Sequence, residues 1–108
     1  MDATLKATAT RLIEAFSQAL AEQPSASKGF ADATEAVNNV LHELSRENAS
    51  YKDADYALAR FHGHISRLVG YKDLELDAEA KRCWNGIKTF VQTDAHDDLR
   101  GVGGPALM

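Results

Sequence analysis

Apolar side chains return every three or four positions along most of this chain, and nowhere do they alternate with polar ones over a strand's length. An α-helix turns once in ~3.6 residues, so this spacing gathers the apolar positions on one side of a rod. Leu5, Ala9, Leu12, Ile13, Phe16 and Leu20 form the first stripe and predict a helix over residues 3–22. Phe30, Ala33, Val37, Val40, Leu41 and Leu44 predict a second over 31–48, with Asp32-Ala33-Thr34-Glu35 as a capping box. Ala54, Ala57, Leu58, Phe61, Ile65 and Leu68 predict a third over 51–69, entered through Ser50 and closed by Gly70 as a left-handed stop. Leu76, Ala80, Cys83, Trp84, Ile87, Phe90 and Val91 predict a fourth over 77–93 or longer, capped by Asp77. Acid from Asp94 to Asp98 stands where a helix end prefers base, so a break near Thr93 or a frayed last turn is expected.

Gln23 to Gly29 reads as a loop, and Gly101, Gly103, Gly104 and Pro105 make residues 101–108 a flexible tail. Residues 1–100 then form a single helical domain. Four amphipathic rods on short connections shelter their stripes by lying side by side. The expected fold is therefore all-α, an antiparallel four-helix bundle, with an orthogonal four-helix arrangement as the alternative. Composition agrees, because alanine and leucine far outnumber valine and isoleucine. At 108 residues a second core has no room.

Charge and cysteine content narrow the function classes. The net charge is −4, and most of the acidic excess lies in residues 1–50, so a nucleic-acid partner is not expected. Cys83 is the only cysteine, which rules out an internal disulfide. The first residues lack a signal-peptide core, and no run approaches the ~20 apolar residues of a membrane span. The expectation is a cytoplasmic protein with no membrane partner.

Candidate chemistry is sparse. On a helix, metal-binding side chains stand three or four positions apart, and no His-x-x-x-His, Glu-x-x-His or Cys-x-x-Cys occurs. His62 and His64 fall about 80° to either side of the third stripe and point apart. No nucleophile elbow or phosphate-cradling loop is present, and Cys83 lies in a stripe where burial keeps a thiol inert. Neither a catalytic residue, a metal nor a cofactor is expected. Histidine-containing phosphotransfer domains share this size and fold class, with lysine three and glycine four positions after the reactive histidine. Here His42 is followed by Ser45 and Arg46, His62 by Ile65 and Ser66, and His64 by Arg67 and Leu68, so none matches.

Two surfaces remain. Tyr56, Arg60, Gly63 and Arg67 recur at i, i+4, i+7 and i+11 opposite the third stripe, with His64 at the border. A mid-helix glycine costs about 1 kcal/mol relative to alanine, and close approach by a second chain is one reason to keep it. Tyrosine and arginine are enriched at interfaces. The expected function is a protein-interaction module (an adaptor, inhibitor, immunity-type protein or subunit) that binds an acidic partner or itself through this face. The alternative is a small-ligand, anion or metal-binding protein with a pocket between the third and fourth helices, near His62, Cys83 and Trp84. If those helices are neighbours, Arg60, His64 and Arg67 would meet Lys81, Arg82 and Lys88 in an anion-gripping strip.

Overall fold

A computed structural model of the protein describes residues 3–23, 28–46 and 51–94, the side chains of residues 51–53 excepted. Four helices account for most of these: α1 (Ala3–Ala21), α2 (Phe30–Ser45), α3 (Tyr51–Gly70) and α4 (Ala78–Gln92), with no strand among the described residues. Each begins and ends within three residues of its expected bounds. The tail, the entry residue Ser50 and the acidic positions from Ala95 onward lie outside the described residues.

The helices form an antiparallel four-helix bundle, as their patterning requires. α1 packs along both α2 and α4, and α2 packs along α3. Hydrogen bonds at opposite ends set the alternating direction. Near its start α1 sends the Lys6 ammonium to the carbonyl of Arg46, just past the end of α2 (3.3 Å). At the other end, Gln23 after α1 accepts at Oε1 from the amide of Asp77, which caps α4 (2.7 Å).

Every residue of the four stripes is buried or packed against the core. Phe16 of α1, Phe61 of α3 and Trp84 of α4 meet at its centre, with ring centroids 5.7–6.3 Å apart. Two of the three contacts are edge-to-face, the arrangement favoured by aromatic quadrupoles. The α3 and α4 backbones approach one another far less than the other neighbours do, and these large rings span the difference.

Local start and stop signals are read correctly in one place and overruled in others. Asp77 is the N-cap of α4, its carboxylate accepting from the Ala80 amide at 2.9 Å. α2 does not use its Asp32 box. It starts earlier, with Gly29 as N-cap and Asp32 in the first turn, where a carboxylate favours the positive end of the helix dipole. The cause is tertiary, because the Gly29 amide donates to the carbonyl of Asp73 in the α3–α4 connection. α2 also stops at Ser45 rather than 48, since Arg46 turns extended.

Gly70 is likewise not the left-handed stop of α3. It remains helical, and the positive φ belongs to Lys72 (61°). The amide of Lys72 reaches the carbonyl of Val69, and that of Asp73 reaches Leu68 (3.1 and 2.9 Å). This is a Schellman closure with lysine in the position that favours glycine. Carrying the helix through Gly70 sets the Asp73 carbonyl over Gly29 and buries Leu74, a core residue outside every predicted stripe.

Gly29 is required for this junction. A Cβ there would lie 2.8 Å from the Asp73 carbonyl oxygen and 3.3 Å from the Leu68 side chain. Gly29→Ala is expected to lose about 1–3 kcal/mol, because backbone must shift to relieve the overlap. Lys72→Gly is expected to gain about 0.5–1 kcal/mol by removing left-handed strain. Urea midpoints of the two variants, moving in opposite directions, check both.

Candidate functional site

The hydrophobic stripe of α3 determines what its other side chains face. With Ala54, Leu58, Phe61, Ile65 and Leu68 buried, successive residues step ~100° around the axis and divide into three sectors. One faces the α4 side, one faces α2, and one faces outward.

On the α4 side, His62 stacks on Trp84 with ring centroids 5.6 Å apart and planes 28° from parallel. Trp84 is only 3% exposed, so it belongs to the core rather than to the edge of a cleft. The alternative expectation placed a pocket near His62, Cys83 and Trp84, and here the His62 and Trp84 rings lie stacked on each other. His62 Nδ1 is buried and has no hydrogen-bond partner among the described residues. Burial, and secondarily the charge of Lys88, lower its pKa below the ordinary 6.5. A protonated ring would bury a cationic donor there without an acceptor. Cys83 is half-buried, and that burial pushes its thiol upward, with the Glu79 carboxylate adding to the effect. Such a thiol is a poor nucleophile at neutral pH. Asp55, on the same side of α3 as His62, is buried.

On the α2 side, Arg60 and His64 line a cleft with Asn39, His42 and Glu43, floored by Val40 and Phe61. Of the strip expected from Arg60, His64 and Arg67 with Lys81, Arg82 and Lys88, two members, Arg60 and His64, line this α2 cleft. His64 and Arg60 turn toward α2, and the α3 side chain that senses Lys88 is His62. Arg82 instead pairs with Glu79 on its own helix. The connection between α3 and α4 is short, yet their backbones approach little, and Trp84 meets Phe61 and His62 between them.

The outward sector carries Tyr56, Gly63, Arg67 and Gly70, while Arg60 of the expected face turns to the α2 cleft. Tyr56 is 46% exposed, and Tyr71, just past the helix, is 76% exposed. A Cβ added at Gly63 or Gly70 would meet nothing within 4 Å. Gly63, Ser66, Arg67, Gly70 and Tyr71 line an open furrow of about 410 Å³. Gly70 and Tyr71 were not among the expected site residues, although Gly70 continues the Tyr56–Gly63 interval of seven. Its reading as a helix stop concealed it. No acidic residue occurs from Tyr56 to Lys72, whereas Arg60, Arg67 and Lys72 are cationic. Among the described residues neither Arg60 nor Arg67 has a carboxylate partner.

Among the described residues no three His, Cys, Asp or Glu side chains group to hold a metal ion, and no helix is long and apolar enough to cross a membrane. The chain matches no family model, and comparison with curated proteins and with solved structures likewise finds no match.

The lowered pKa of His62 has a consequence for stability. The unfolded chain takes up this proton before the folded one does, so stability contributed by neutral His62 is present above about pH 6.5. It declines as pH falls from there toward the folded-state pKa. His62→Phe, which keeps a ring against Trp84, is expected to flatten this part of the profile. Urea midpoints at pH 7.5 and 5 for both proteins check it, and an equal fall in both would exclude His62 as the source.

Proposed function

We propose that the protein is a small helical protein-interaction module that binds an acidic partner protein through the outer face of α3. The observation that carries this reading is Gly63. It sits mid-helix, where glycine costs about 1 kcal/mol relative to alanine, and the chain's own packing supplies no reason for it. Gly70, two turns on, is equally unobstructed. Together they open a furrow into which a partner backbone can settle, lined also by Ser66, Arg67 and Tyr71, with the exposed Tyr56 on the same face of α3.

Charge favours an acidic protein over a second copy. A two-fold seam sets the same patch against itself. Here it would bring Arg60 and Arg67 against the same arginines, with no acid from Tyr56 to Lys72 to offset them. An acidic helix or loop would meet those guanidiniums favourably, and like-charged partners would be rejected.

Gly63→Ala is expected to stabilise the isolated protein by up to about 1 kcal/mol, since the methyl meets nothing. Gly63→Leu and Arg67→Glu should leave the helical circular-dichroism spectrum intact and abolish docking. The check is quantitative cross-linked capture from the source cell with wild type and both variants. An acidic protein retained by the wild type and lost with both variants supports the reading. Identical capture by all three overturns it, as does a wild-type homodimer that Gly63→Leu dissociates.

A further inference from the structure

We infer that the cleft between α2 and α3 binds a small organic oxyanion: a carboxylate or phosphate monoester carried on a short apolar stem. The cleft exists because small residues, Ala36 and Ala57, stand on the two facing helices, leaving about 250 Å³ between them. That volume lies just under the roughly 300–1,000 Å³ of sites for drug-sized ligands, so the occupant is small.

Its walls are chemically uneven. From α3 come the Arg60 guanidinium and the His64 imidazole, and from α2 the Asn39 amide and the His42 imidazole. All four can donate hydrogen bonds, and Arg60 presents a planar fork that matches two oxygens of a carboxylate or phosphate. The one acid on the wall, Glu43, is engaged by Arg46 at 2.9 Å, which leaves Arg60 without a carboxylate partner among the described residues. Beneath the polar groups lie Val40 and Phe61, both buried core residues. Donors above and an apolar floor below suit a ligand with a charged head and a greasy body. The bare ion would leave the floor exposed to water, and a neutral analogue would leave the guanidinium unanswered.

The site is separable from the docking furrow. Arg60 lines the cleft and not the furrow, whereas Arg67 lines the furrow and not the cleft. The test is titration of the whole protein with benzoate, phenyl phosphate, benzyl alcohol and inorganic phosphate, following the imidazole resonances of His42 and His64 by NMR. Benzoate or phenyl phosphate should shift both histidines saturably, more tightly than benzyl alcohol or inorganic phosphate. Arg60→Gln should weaken that binding roughly tenfold or more, the scale of one charge-assisted hydrogen bond. His64→Ala should weaken it too, and Arg67→Gln should leave it unchanged; amide spectra of each variant verify its fold. Absence of saturation, equal binding by Arg60→Gln and wild type, or equal loss in Arg67→Gln would overturn the assignment.

Discussion

One indole closes this bundle. α1 is flanked by α2 and α4, and α2 by α3, through ordinary helix-to-helix contact, but α3 and α4 stand further apart. Trp84 fills that side, held by Phe16, Phe61 and His62. An aromatic side chain buries enough apolar area to substitute for backbone proximity, and its ring contacts restrain rotation of the helices around it. With Phe61 and His62 packed on Trp84, the phase of α3 is settled. In steps of ~100°, His64 and Arg60 must then face α2, and Gly63 must face away from the core.

The junction at one end of the bundle follows from the same closure. Two connections meet there, and their backbones bond directly through Gly29 and Asp73. This contact explains why α2 ignores an available cap and why α3 runs through Gly70, leaving the positive φ to Lys72 beyond it. Local preferences of about 1 kcal/mol yield to a junction that satisfies buried backbone groups and covers Leu74.

The surface is divided in a way that total charge conceals. A protein of net charge −4 carries along α3 and just past its end a seventeen-residue stretch, 56–72, with three cations and no acid. Its outward part lines a furrow with two glycines, and its α2-facing part gives Arg60 and His64 to a cleft that Asn39 and His42 of α2 complete. An unpaired arginine on a surface is common and contributes little to stability. Two of them stand on one helix, next to open glycines and an apolar-floored cavity, and it is this combination that the proposed binding face and cleft rest on.

Much of this was legible in residue order. The periods of Leu5 to Leu20 and of Ala54 to Leu68 sufficed for the helices, because a 3.6-residue repeat is a property of one rod and needs no neighbour to define it. The opposed directions of His62 and His64, and the outward face of Tyr56, Gly63 and Arg67, follow from the same repeat. Which rod stands beside which is not a local property. From the sequence, Arg60 and His64 would meet the cations of α4 only if α3 and α4 were close neighbours. The backbones of α3 and α4 stay further apart than the other neighbours, and Arg60 and His64 line a cleft with α2. The cleft with Asn39 and His42, the choice of Gly29 over Asp32, and the positive φ at Lys72 each depend on atoms more than fifteen positions away or on where the next connection must land. Only packing in three dimensions brings those atoms within bonding distance, so tertiary structure alone decided them.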